Sequence, residues 1–591
     1  MKHTICHHLL NIKNRKNTAV EFVRKRKWQS LSWKEYFALV EKVAGGLKSL
    51  GLQPQEKVAI MSNTRLEWAV ADMAILGLGG VVVPIYQSSI AEEIGYILKN
   101  SEATTVIFES EEAYKRYLQV RDQAPQVKNV IGITFSNNDV KSWDSLIKNG
   151  EEYRKNQPNF FEQACLDTDV NNLATIVYTS GTTGTPKGVC LYHEQIMSEI
   201  PEVAKVIDLN NKDKSLTFLP YAHIFGRIEH WMHIYVGFTM AYAESVEKVR
   251  DNLTKAKPTF LVAVPRIFEK IYTSIQTQAE ASPMKSKIFK WALEVGYKVS
   301  YCRLNKKIPP LPLLLEYQAA KKLVFDKLMK RLGGRLRFAV SGGAPLSGEI
   351  SQFFHASNLL ILEGYGLTET TAAVLVNTPF AYKFGTVGKP FGDVDVKIAE
   401  DGEICIKSKK VMREYYKNSE ATQEVFDNDG YFKTGDIGEI DSEGFVKITD
   451  RKKDLIKTAG GKYVAPQKLE SLLKLDSNIS NVLIHGDQKK YIVALITLNP
   501  ETMKKFAEDN QLPSHDLASL STNPKVKDLV RNAIANVNSQ LASFETIKNF
   551  AILTTDFTVE SGELTPSLKV KRKFCDKKYE VQIKSLYGEE T

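Results

Sequence analysis

Apolar runs of two alternating periodicities fill the first 200 residues and restrict the fold more than any other feature. Residues 31–50 read as a helix opened by Ser32 and closed before Gly51. Residues 57–62 read as a buried strand, 66–78 as a helix and 81–86 as another strand. The β-rich runs 105–108 and 130–133 continue the series. Strand and helix in alternation build βαβ units, so the spacing predicts an α/β chain with largely parallel sheets. The texture changes near Asp450. Residues 481–485 and 491–498 read as a hairpin, and Val526, Leu529, Val530, Ala533, Ile534, Val537 and Leu541 form one apolar helical stripe. The 591 residues divide on this reading into a large α/β N-terminal domain, 1–449, and a small α+β C-terminal domain, 450–591.

The formal charge of +10 raises polyanions and acidic surfaces as partners, but its distribution narrows the choice. Thirteen basic and three acidic residues lie between 284 and 335, and the remaining chain carries 66 of each sign. In that segment Ile288, Trp291, Ala292, Val295, Val299 and Cys302 recur at helical spacing beside Lys285, Lys287, Lys290 and Lys298. A second run carries Leu323, Phe325, Leu328, Met329 and Leu332. A helix with an apolar and a basic face suits the headgroup region of an anionic membrane. The alternative is a helix pair packed on its own domain with a solvated lysine face. Nucleic acid is disfavoured, because no recognisable binding module accompanies the lysines. Six cysteines lie far apart without a C-x-x-C, which fits a reducing compartment. The first residues lack the apolar core of a signal peptide. The longest apolar stretch, 73–86, is too short to span a bilayer. The expected location is cytoplasmic, with peripheral contact at the inner face of the cell membrane.

The sharpest local signal is Tyr178-Thr-Ser-Gly-Thr-Thr-Gly-Thr-Pro-Lys-Gly-Val189, directly after a strand-like run. The N–H groups and hydroxyls of Thr179, Ser180, Gly181, Thr182, Thr183 and Gly184 can wrap phosphate oxygens, and Lys187 adds a point charge. A flexible Gly/Thr turn is the plainer alternative. The Gly-Lys pairs at 388 and 461 are followed by Pro and Tyr, so this is not a Walker A loop. Neither G-x-S-x-G, H-E-x-x-H nor G-x-G-x-x-G occurs. His230 and His233 form an H-x-x-H, but partners at metal-site spacing are missing and packed histidines are expected.

Seven further motifs follow in order, and together with this run they resemble the adenylate-forming superfamily of acyl-CoA synthetases, luciferases and peptide-synthetase adenylation domains. Pro220-Tyr-Ala-His223 resembles the motif whose histidine helps form the carboxylate pocket. Gly342, Gly343 and Ala344 match the adenine-side loop. Glu363, Gly364, Tyr365 and Gly366 match the segment that cups adenine and presents Thr368 and Glu369 to phosphate and Mg²⁺. Asp436, in Tyr431-Phe-Lys-Thr-Gly-Asp436, matches the aspartate that holds the ribose hydroxyls. Asp450-Arg-Lys-Lys-Asp454 resembles the interdomain hinge, with Arg451 on the ribose and Lys453 at the pivot. Lys457, Gly460 and Gly461 match the loop that serves the thioester step. Leu564-Thr-Pro-Ser-Leu-Lys-Val-Lys-Arg572 resembles the terminal catalytic-lysine motif, which aligns Lys569 with the catalytic lysine and leaves Lys571 as the alternative.

The 284–335 region and the Leu-Thr-Pro-Ser-Leu-Lys ending resemble the long-chain fatty acyl-CoA synthetase branch. The resemblance implies ATP, Mg²⁺ and coenzyme A as partners of a long-chain fatty acid, with acyl-AMP formed first and the thioester second. Two other functions remain open at this level: loading an acyl chain onto a carrier-protein phosphopantetheine, and a non-catalytic scaffold that binds acyl-AMP.

Overall fold

Residues 3–179, 186–279, 282–558, 561–565 and 570–588 are described by a computed structural model. The alternating runs of the N-terminal half form two sheets. Among the described residues one has seven strands, ordered Lys141–Ser142, Asn129–Gly132, Thr105–Phe108, Lys57–Met61, Val81–Ile85, Leu173–Thr179 and Lys187–Tyr192. Its pairings are parallel except the last, an antiparallel return that sets Thr179 opposite Lys187. The other has nine strands, with Leu360–Leu367, Phe338–Ser341, Phe260–Ala263, Lys214–Thr217 and Thr239–Tyr242 adjacent and parallel at its centre. Strands buried on both faces explain the continuous Val, Ile and Leu runs in the sequence.

One helix, Ile224–Val236, is held by both sheets. Its Arg227 donates to Thr175 Oγ1 of the seven-stranded sheet at 2.6 Å. Its Glu229 accepts from Ser215 of the nine-stranded sheet. Arg227 also pairs with Asp72 on the Leu66–Gly77 helix, and Trp231 Nε1 donates to the same carboxylate at 2.9 Å. All these side chains are buried. His230 faces Asp72 at 3.5 Å, while His233 bonds the Ala19 carbonyl at 2.9 Å and stacks on Trp33. Both histidines are packed core residues, as expected.

Residues beyond 450 build their own core. The hairpin Ile479–His485 with Ile492–Leu498 is extended in parallel by Ile547–Ile552. Val526, Val530, Ala533, Ile534 and Val537 of the Pro524–Asn538 helix pack on one face of it. Between the two regions, the strand Phe432–Ile440 pairs with Val446–Arg451, so Asp450 and Arg451 end a strand of the larger region's four-stranded sheet.

The basic segment is a helical pair, Pro283–Leu304 followed by Leu311–Ala320, continued by a wide π turn, Lys321–Phe325, and Asp326–Arg331. Ala292, Val295 and Val299 are buried as the stripe predicts, against Tyr317, Ala320 and Phe325. Ile288 and Trp291 are not; they are 40% and 36% exposed. The stripe outruns its partners, because the buried positions of the helix begin at Ala292, where the second helix and Gly348–Ala356 pack on it. No helix among the described residues is long and apolar enough to cross a membrane.

Candidate active site

His223 and the 342–344 loop follow the carboxyl ends of parallel strands, where open α/β sheets place their sites. His223 caps the Ile224–Val236 helix, its Nδ1 accepting from Phe225 N at 3.2 Å. The Arg227–Asp72 pair one turn later fixes that helix and therefore the half-buried His223. Gly342 lies where a Cβ would meet the Phe225 ring at 3.1 Å and the Gly364 carbonyl at 3.5 Å. Three motifs thus converge on one point: His223 through Phe225, Gly342, and Gly364. Gly343 adopts φ +82° and turns the loop so that it and Ala344 are exposed. Glu363, at the end of the buried part of its strand, is 7% exposed, and burial pushes its carboxyl up to about 8 against donation from Leu346 N–H and Ser351.

Gly366 is obligatory, since a Cβ there would lie 1.4 Å from the Ala372 carbonyl. The chain then makes the tight turn Thr368–Thr370 and places Thr371 and Ala372 at φ +56° and +81°. Two consecutive L-residues in the left-handed region are strained, and such strain persists where neighbours over-determine it. Glu369 on this turn accepts from the Tyr415 hydroxyl at 2.8 Å. The Lys187 ammonium sits 5.0 Å from the centre of the same ring.

Asp436, 3% exposed, accepts from Tyr365 at 2.6 Å and pairs with Arg451 Nε at 3.0 Å across the strand register. Burial, then the Asp436 carboxylate, holds the Tyr365 phenol well above its usual range. The structure therefore brings Tyr365, Asp436 and Arg451 together, and Lys187 with Glu369. Residues 180–184 and Lys569 lie outside the described residues. Lys452 pairs with Asp401 and with Glu403 at 2.8 Å, anchoring the turn that contains Lys453. Lys457, Gly460 and Gly461 lie on a hairpin of the C-terminal region. Its backbone bonds run to Asp487 and Lys489, and Gly461 adopts φ +74°.

Sequence reasoning missed Asp72, Arg227, Tyr415, Glu199 and Lys410. A lone Asp inside the most apolar helix signals the need for a buried cation, but does not say which one.

The AMP-binding enzyme family matches residues 11–416, and the AMP-binding enzyme C-terminal domain matches residues 453–591. The long-chain-fatty-acid–CoA ligase FadD15 of Mycobacterium bovis is 36% identical over 566 residues, covering 95% of this chain and 93% of its own. The long-chain-fatty-acid–CoA ligase ACSBG2 of Rattus norvegicus is 30% identical over 603 residues, covering 95% and 89%. The adenylation domain of a carboxylate reductase from Mycobacterium chelonae superposes with a TM-score of 0.76 over 99% of this chain and 91% of that one, at 22% identity.

Proposed function

The chain belongs to the AMP-binding enzyme family, and on that premise we propose how its residues divide the work of a long-chain-fatty-acid–CoA ligase. The enzyme activates a long-chain fatty acid with ATP to acyl-AMP and pyrophosphate, then transfers the acyl group to coenzyme A. The observation that carries this is the match to ligases of that class along 95% of the chain.

A carboxylate is a poor acyl donor, and its attack on the α-phosphorus of ATP requires positioning and neutralised charge. In our reading Asp436 accepts from the ribose hydroxyls while Tyr365 and Arg451 hold its orientation. Lys187, with Thr179, Ser180, Gly181, Thr182, Thr183 and Gly184, binds the β- and γ-phosphates. Gly342, Gly343, Ala344, Glu363, Gly364 and Gly366 shape the adenine side, His223 borders the carboxylate, and Thr368 faces the phosphates. Lys569 bridges carboxylate and α-phosphate in the first step. Lys457, Gly460 and Gly461 serve the second, after the 450–591 domain turns about Lys453; adjacent glycines admit the pantetheine arm closely. The carboxylate of Glu369 and the hydroxyl of Thr368 are hard oxygen donors of the kind Mg²⁺ prefers. Bound there, the ion would neutralise charge on the phosphates.

The assay is pyrophosphate release with palmitate and ATP, followed by product analysis with coenzyme A or with a holo-carrier protein. Pyrophosphate and palmitoyl-CoA are expected. Acyl transfer to the carrier but not to coenzyme A would replace the acceptor, and no pyrophosphate at any chain length would leave only a scaffold.

We also assign the 284–335 pair to an anionic membrane surface. Met284 (73% exposed), Ile308 (91%) and Leu311 (69%) stand in solvent beside Lys285, Lys287, Lys290, Lys306 and Lys307. Each basic residue near such a surface contributes about 1 kcal/mol. Reversing Lys285, Lys287, Lys290 and Lys298 to Glu is expected to lower partitioning onto phosphatidylglycerol vesicles by more than about 100-fold, with no change on neutral vesicles. Undiminished co-sedimentation would refute the assignment.

A further inference from the structure

Residues 410–416 form a strap that joins the two phosphate-side motifs, and no motif in the sequence announces it. At one end Cys190 N donates to the Glu414 carbonyl at 3.1 Å and Tyr416 N to the Gly188 carbonyl at 2.7 Å, next to Lys187. In the middle Met412 N donates to the Glu369 carbonyl at 2.6 Å. At the other end the Thr371 hydroxyl donates to the Lys410 carbonyl at 2.6 Å. Lys410 is itself pinned. Its ammonium pairs with Glu199 at 2.9 Å, both side chains fully buried, and lies 3.3 Å from the Phe391 ring centre. The second oxygen of Glu199 accepts from Ala373 N at 3.0 Å. The left-handed pair Thr371–Ala372 is thus gripped from both sides, which is the over-determination such a backbone requires.

Tyr415 is the one strap residue whose side chain touches both Glu369 and Lys187. It is 5% exposed, and Thr422 Oγ1 accepts from its backbone N–H at 3.0 Å. We propose that Tyr415 is a positioning residue for Mg²⁺-ATP, aiming the Glu369 carboxylate through its hydroxyl and holding the Lys187 ammonium over its ring. This rests on the assignment of Lys187 and Glu369 to the phosphate side. A carboxylate free to rotate on a single tight turn would spend part of its time aimed elsewhere; one hydrogen bond to a buried, rigid phenol selects a single orientation. The ring face attracts the ammonium without occupying its hydrogen-bond donors, so Lys187 is kept close at hand for a phosphate. Only one oxygen of Glu369 is engaged by the phenol, which leaves the other for a cation.

The two contacts separate in two variants. Tyr415→Phe keeps the ring and loses the donor, whereas Tyr415→Leu loses both. Calorimetric ATP binding without fatty acid, titrated across Mg²⁺ concentrations, reads them without turnover. Tyr415→Phe is expected to raise the Mg²⁺ concentration for half-maximal ATP binding by about tenfold, with Mg²⁺-free ATP binding and Tm unchanged. Tyr415→Leu is expected to weaken Mg²⁺-free binding as well, by about threefold. The Tyr415→Phe effect should vanish in a Glu369→Ala background. A Mg²⁺ dependence within about twofold of the parent, or an equal loss in the Glu369→Ala background, overturns the proposal. Glu369→Ala and Lys187→Ala, tested alone, keep the two readings apart. If neither weakens Mg²⁺-ATP binding, the phosphate-side assignment fails; if both do and Tyr415→Phe does not, only the role of Tyr415 fails.

Discussion

Alanine in place of Lys569 is expected to lower ATP–pyrophosphate exchange on the order of 10²–10³-fold, the usual cost of removing one group aimed at developing charge. The same variant should still convert synthetic acyl-AMP and coenzyme A to the thioester, because the proposed division of work gives that step to Lys457, Gly460 and Gly461. Lys571→Ala is the control. The backbone around Lys571 is held at several points: Leu564 bridges to Val570, Lys571 N donates to the Glu563 carbonyl at 2.7 Å, and Arg572 bonds Glu470 and the Ile484 carbonyl at 2.7 Å each. Glu563 is in turn held by Tyr579 at 2.7 Å and by Lys578. That frame puts Lys571 at the base of the motif, where its backbone is committed to the domain. Normal exchange in Lys569→Ala with loss in Lys571→Ala would transfer the role.

Asp72→Ala is expected to produce the largest loss of stability, about 3–5 kcal/mol, because it strands the fully buried Arg227 guanidinium. Burial would raise the Asp72 carboxyl, but Arg227, His230 and Trp231 hold it below its usual value of 3.8. Its contribution is therefore complete above that pH and fades as acid protonates it. The loss should appear as a lower denaturation midpoint in urea. Adding Arg227→Met should restore part of it, since an apolar pair of similar volume removes the stranded charge. An unchanged midpoint in Asp72→Ala would refute the clamp. The clamp bears on chemistry too: it fixes the helix that His223 caps, so a surviving Asp72→Ala protein is expected to adenylate poorly.

Much of this was legible in the chain itself. Ser32 with Glu35 forms the capping box that starts the Trp33–Ser49 helix, a signal contained within four residues. The density of N–H and hydroxyl donors in the Gly/Ser/Thr run ending at Lys187 is the basis for proposing that it binds phosphate. The lysine excess pointed to one segment before any helix was drawn. Other features were not legible. Lys187 itself begins an antiparallel strand, Lys187–Tyr192, and so stands across from Thr179. Ile288 and Trp291 satisfy the helical stripe yet stay exposed, because periodicity says which residues share a face and not whether anything covers it.

The sequence by itself determined the α/β class, the order of the motifs and the chemical types at the site, since these depend on spacings of a few residues and on side-chain chemistry. Tertiary structure alone decided which distant groups meet. Tyr415 reaches Glu369 across 46 positions, Arg227 reaches Asp72 across 155, and Asp436 is held by Tyr365 across 71. A buried charge or phenol must find a partner, but many residues of suitable chemistry occur along the chain. Sheet order and helix packing select one of them by bringing it within hydrogen-bond distance.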